Sequence, residues 1–171
     1  MVDESDTSAE ICSCEHVSHG EFGPVADDEE LARVIMSPAH FNKNGDLKPG
    51  AFPLSHIRQS GLSLLRTNKM SKTDIIRIAH AIAPANQAPH SLAIAVAGEV
   101  RSIELIEGEQ ALCVLDDPVL DSPPYPDNPA HAIAISSSNR TSEECTPEVL
   151  ELQEALFNKF KNQLRRIPDE V

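Results

Sequence analysis

The sequence predicts an α+β fold, on three observations: short apolar segments of strand length, two segments whose apolar residues recur at helical spacing, and turn chemistry between most of them. Helices interspersed with short, mostly antiparallel strands make a compact single domain, its sheet covered by two or three helices. With 171 residues, 40% of them hydrophobic, the chain can bury one substantial core without help from disulfides or metal. The expected organisation is an acidic tail over residues 1–26 and one domain over residues 27–171.

Taken in order, Asp27-Asp28-Glu29-Glu30 followed by Leu31, Val34 and Ile35 reads as a short helix with acids in its first turn, ended near Ser37-Pro38. Residues 40–52 read as loop and hairpin, with an Asn44-Gly45 turn and Lys48-Pro49-Gly50 as further punctuation. Gly61 to Arg66 suits a short strand that leaves Arg66 at its end. Ser71 then caps a helix along which Ile75, Ile78, Ala79 and Ile82 share a face, and Pro84 stops it. That helix should cover a sheet supplied by Ser91 to Glu104, Gln110 to Leu115 and Ala132 to Ser136. Thr146-Pro147-Glu148 starts the last helix, expected over 146–166, with Val149, Leu152, Leu156, Phe160 and Leu164 on one face and basic residues toward its C-terminal end.

Net charge is −13, from 27 acids and 14 bases, which argues against broad nucleic-acid binding. Ten of those acids lie in residues 1–30, where there is no Lys or Arg, so the remaining 17 acids nearly balance the 14 bases and leave room for a basic pocket. A polar acidic tail is expected to be solvated. The longest apolar stretch, Ser91 to Gly98, is far below the roughly 20 residues of a membrane span, and the acidic start does not resemble a secretory signal. Four cysteines show no disulfide framework, and Cys113 in an apolar run reads as a reduced, buried thiol. A cytoplasmic protein is the expectation.

Cys12, Cys14, His16 and His19 offer enough ligands for one zinc ion, but Cys-x-Cys crowds the sulfurs and no second pair lies at a suitable distance, so the expectation is no cofactor there. Cys113 reads as buried rather than nucleophilic, whereas Cys145, just before the last helix, could be a low-pKa thiol. Asp116 and Asp117, with Asp121 or Asp127, could chelate a hard cation but read as a solvated loop. A more informative set is His131 at the start of a strand, Arg66 at the end of another, and His56 and Arg58 in the loop before it. Arg58, Arg66 and Arg101 would bind an anionic ligand, and His131 or His56 would transfer a proton.

Five of the 13 prolines fall between Pro118 and Pro129, and they make a stiff, extended loop that delivers Asn128-Pro129-Ala130-His131 to an apolar run. Tyr125, the only tyrosine, lies within it between Pro124 and Pro126. A preordered loop loses little entropy on docking, so Tyr125 is a candidate partner contact, together with Leu152, Leu156, Phe160 and Arg165 of the last helix. The acidic start and the basic end also allow head-to-tail contact between copies.

The succession His40-Phe41, Ala51-Phe52, Gly61-Leu62-Ser63 with Arg66, and Asn128-Pro129-Ala130-His131-Ala132, over roughly residues 28–136, resembles the layout of small uncharacterised bacterial proteins. That resemblance implies a gene context beside multi-gene operons, defence systems included, and attaches no activity, fold or catalytic residue. Two functions are therefore expected: a bacterial accessory protein acting by protein–protein contact in a complex, or a small enzyme acting on a nucleotide or phosphorylated ligand.

Overall fold

Six short strands, the central ones buried on both faces, frame the core of the molecule. In the computed structural model, which describes residues 12–137 and 147–168, they are β1 (Glu30–Ser37), β2 (Leu62–Arg66), β3 (Ala88–Val96), β4 (Leu112–Asp116), β5 (His131–Ser136) and β6 (Leu164–Arg166). They form one sheet in the order β4-β5-β2-β1-β3-β6, and every pairing is antiparallel. Three helices complete the fold: α1 (Lys72–Ala81), α2 (Ala97–Arg101) and α3 (Pro147–Phe160). The chain is thus an α+β fold.

Period-two alternation puts two sets of apolar side chains on opposite faces of the sheet. One face carries Leu31, Ile35, Leu62, Leu64, Ala93, Ala95, Leu112, Val114, Ala132 and Ala134, packed with Phe52 and with Leu152, Leu156 and Phe160 of α3. The small alanines of β3 and β5 leave room for the phenylalanines, and the Phe52 and Phe160 rings lie 5.3 Å apart. The other face carries Ala32, Val34, Met36, Leu65, Leu92 and Ile94, packed with Ile76, Ile78 and Ala79 of α1.

Three elements differ from the sequence reading. Residues 30–37 are strand, not helix: Leu31 and Ile35 serve one core while Ala32, Val34 and Met36 serve the other. A strand covered on both faces is a continuous apolar run, which mimics a helical stripe in a short window. Glu29, read as part of an acidic first turn, instead accepts the Ala26 N–H at 3.2 Å and is buried. The strand predicted to reach Glu104 stops at Val96, where α2 begins, because the backbone there is held across the chain: the Ala97 and Gly98 N–H groups donate to the Glu29 and Asp27 carbonyls at 2.9 and 2.8 Å. The last helix stops at Phe160, and Leu164 to Arg166 leave it to pair as β6 with Ser91 to Ala93.

The start of the described chain is the largest departure. Residues 12–29 form a strap over the β4 edge instead of a solvated tail, and Cys12 is bonded to Cys113 of β4, with 5.4 Å between their Cα atoms. Cys113 is therefore no free thiol, contrary to the reduced state expected of it, and these two cysteines do not point to the cytosol. Glu15 of the strap, buried, accepts from the Gln110 side chain at 2.7 Å and from the Val114 N–H at 3.2 Å, and pairs with Arg101. Arg101 in turn donates to the Val114 carbonyl at 3.1 Å, so the exposed edge of β4 is blocked by side chains. Among the described residues, no helix is long and apolar enough to cross a membrane.

Candidate functional site

The site begins as a split in the sheet. Strand β1 pairs with β3 along its whole length, from Glu30–Val96 to Ser37–Ala88, but with β2 only at Leu31–Arg66 and Ala32–Leu65. Strand β2 continues along β5 from Leu65–His131 to Leu62–Ala134, so past Ala32 the two central strands make no further ladder pairs with each other. Arg33 bridges the gap: its Nε donates to the Ala51 carbonyl at 3.1 Å and its Nη1 to the Ser63 carbonyl at 3.3 Å.

A cavity of about 590 Å³ opens at this split, within the range of small-ligand sites. Val34, Met36, Leu65, Ile78 and Ile82 give it an apolar wall, and Arg33, His40, His56, Tyr125, Asn128 and His131 give it a polar one. Burial alone pushes the Arg33 pKa down to about 10. Among the described residues Arg33 has no carboxylate partner, only the two carbonyls. A desolvated cation without a counter-ion is costly, so this position favours an anion.

Backbone contacts fix the protons on two of the histidines. The Met36 N–H donates to His40 Nδ1 at 2.9 Å, so that nitrogen carries a lone pair and the proton sits on Nε2. Burial first, then the Arg33 and Lys48 charges, push the His40 pKa down to about 4, and the ring is neutral at pH 7. His56 is lowered in the same direction by burial and by Arg33. His131 has the opposite tautomer. Its Nδ1 lies 2.6 Å from the Asp117 carbonyl, which can only accept, and 3.1 Å from Asp117 Oδ2, so Nδ1 is the donor and Nε2 carries the lone pair. The hydrogen bond from His131 holds the Asp117 carboxyl below its ordinary value against its partial burial, and a positive charge on His131 or His19, when either is protonated, acts in the same direction. One cavity thus contains a neutral N–H donor, an oriented base and an unpaired guanidinium.

The proline loop supplies a wall and a mount. Val119 and Asn128 close it by paired backbone hydrogen bonds of 3.0 and 2.7 Å, and Asn128 Oδ1 accepts the Ala130 N–H at 3.1 Å just before β5 begins. The chain therefore enters His131 from a pinned turn.

The residues named from sequence fall into separate groups. His131 and His56 line the cavity, as does His40, and Tyr125 stands at the same cavity with more than half its surface exposed. Arg66 does not reach it. Its side chain is fully buried, donating to both Glu29 oxygens at 2.7 Å and to Asp116 Oδ1 and the Gly23 carbonyl at 3.0 and 2.8 Å. Arg101 is spent on Glu15, on Asp27 at 2.8 Å and on two carbonyls. Both arginines thus hold the strap instead of a ligand, because the acids read as a solvated tail fold back onto them. Arg58 is buried, its Nε and Nη2 without hydrogen-bond partners, and it does not line the cavity. Leu152, Leu156 and Phe160 are 3, 0 and 0% exposed and face Phe52, so they serve the core instead of a partner. Arg165, in β6, is exposed and pairs with Glu30 at 3.2 Å. Of the metal candidates Cys12 is spent in the disulfide; Cys12, Glu15 and Cys113 lie within 4.8 Å of one another, but Glu15 is committed to Arg101. Asp116 is tied to Arg66 and Asp117 to His131, so neither belongs to a solvated chelating loop. Cys145 lies outside the described residues.

Sequence reasoning missed Arg33. The available signal was a single charge inside Leu31-Ala32-Arg33-Val34-Ile35-Met36, a run otherwise without polar residues. Compared with known protein families, with curated proteins and with solved structures, the chain matches none.

Proposed function

We propose that the protein is a small enzyme that binds a phosphorylated or nucleotide-sized anionic ligand in the cavity between β1 and β2 and moves a proton on it. The observation that carries this reading is Arg33, a desolvated guanidinium with no acid beside it among the described residues, in a cavity shared with three histidines. Arg33 holds the anion. His131, oriented by Asp117, takes a proton through Nε2, and His40 donates a hydrogen bond from Nε2–H without changing its charge at neutral pH. The apolar wall excludes water and strengthens these interactions.

Calorimetric titration with inorganic phosphate and with nucleoside monophosphates tests the reading. Wild type should bind, and Arg33→Gln should weaken binding about 10- to 100-fold, the loss of one charge-assisted contact of about 1.5–3 kcal/mol. His131→Gln should retain binding and lose any turnover. Equal affinity of wild type and Arg33→Gln for every anion tried would sink the proposal.

A second reading, an accessory protein docking through its proline loop, draws on Leu120 and Tyr125, which are 50 and 57% exposed. It predicts that Leu120→Asp, outside the cavity lining, abolishes assembly with a purified operon partner while anion binding stays as in wild type.

A further inference from the structure

The strap and the proton-transfer pair meet at one short stretch of chain, Asp116-Asp117-Pro118. The backbone N–H groups of His19 and Gly20 donate to Asp116 Oδ2 at 2.8 and 3.0 Å. Gly20 packs on Pro118 so closely that a Cβ there would lie 2.9 Å from the proline Cγ. His19 is near enough for its charge to act on Asp117. Asp117, between the two contacted residues, is what orients His131. At its far end the same strap is bonded covalently through Cys12 to Cys113, three residues before Asp116 on β4.

We infer that the Cys12–Cys113 bond is a thiol-controlled latch on the cavity: while it is closed, the strap presses Asp116 to Pro118 into the position that holds His131 as a base, and its reduction releases that position. The inference rests on the proton-transfer role proposed for His131. The reductant is a dithiol. One thiolate attacks Cys12 Sγ, the Cys113 thiolate leaves and takes a proton, and the second dithiol sulfur displaces Cys12 as a thiol. Two electrons pass to the protein, and the reductant ends as its cyclic disulfide. Cys12 and Cys113 are both buried, so the attack follows local opening of the strap.

The alternative is a structural staple, in which closing and opening the bond changes stability and leaves the Asp117–His131 contact alone. Imidazole ¹⁵N NMR separates the two, because it reports which ring nitrogen carries the proton. Oxidised wild type should show His131 in the Nδ1–H form. Protein reduced with dithiothreitol, and Cys12→Ser without reductant, should lose that single form to a tautomer mixture while amide signals of β1 and β3 keep their native dispersion. Gly20→Ala with the bond intact should do the same, because it pushes Pro118 away without touching a cysteine. An unchanged Nδ1–H signal in both the reduced protein and Gly20→Ala would overturn the latch. Global unfolding of both reduced wild type and Cys12→Ser would overturn it too, leaving a staple. Phosphate titration of the oxidised protein reads the anion site separately, so failure of the proposed function and failure of the latch give different patterns.

Discussion

Arg66, fully buried, and Arg33, partly buried, have opposite fates, and the difference lies in which acids reach them. Arg66 is saturated by Glu29, Asp116 and strap carbonyls, whereas Arg33 meets only the Ala51 and Ser63 carbonyls. Removing Arg66 should therefore be a stability event: Arg66→Met leaves two buried carboxylates unpaired, at a cost of about 3–5 kcal/mol. Urea unfolding at pH 7 measures it, and a loss under about 1 kcal/mol would contradict the network described. Sequence alone separates neither arginine's role. Arg66 stands at a strand end, where a loop ligand is reasonable, and its acids lie in a segment whose charge and polarity read as solvated. His131 was legible because the prolines ahead of it dictate an extended loop, a local constraint. Arg33 was not, because its meaning depends on β2 failing to pair beside it, which is a long-range fact.

At the scale of elements, the turn that feeds β2 is built around one glycine. Gly61 follows a single π-helical turn, His56–Ser60, and adopts φ +89°; a Cβ there would lie 2.8 Å from Ile133 of β5. Gly61→Ala combines a left-handed backbone with a clash against a packed side chain, and should cost about 2–4 kcal/mol. Thermal unfolding of the variant checks this, and a melting temperature within a degree of wild type would show that the turn yields more easily than its packing implies. Elements with local signatures were readable. The first long helix is the clearest case, with Ser71 Oγ accepting the Asp74 N–H at 3.1 Å as its cap and Ile78 and Ala79 buried beneath it. Strands β2, β4 and β5 also fall where alternation and turns put them. Strand β1 did not, because burial on both faces erases the period of two. Strand β6 did not, because Leu164 continues the helical stripe and only the unpaired edge of β3 recruits it.

The whole molecule should be sensitive to acid through two groups with separate pH windows. His40 is held neutral, its folded pKa about 4 against an ordinary 6.5, so below pH 6.5 the unfolded chain binds a proton that the native state refuses. Stability then falls as pH drops from 6.5 toward 4, and His56, lowered by the same burial and the same arginine, adds in that direction. Glu29 acts below this. Burial works to raise its pKa, but the Arg66 and Ala26 hydrogen bonds and the Arg66 and Lys69 charges outweigh it, leaving the folded value under the ordinary 4.5. Its contribution is present above pH 4.5 and disappears as pH falls through the folded value. The upper limb belongs to the cavity histidines and the lower to carboxylates, Glu29 of the strap and Asp117 beside His131 among them, so one substitution can separate the limbs. His40→Asn keeps an acceptor for the Met36 N–H and removes the titration. Urea midpoints measured between pH 7 and pH 3 should decline less for this variant than for wild type from pH 6.5 to 4, and in parallel with wild type below that. Parallel decline over the entire range would mean that His40 binds its proton in the folded state as readily as in the unfolded chain, so that neither burial nor Arg33 holds the ring neutral below pH 6.5.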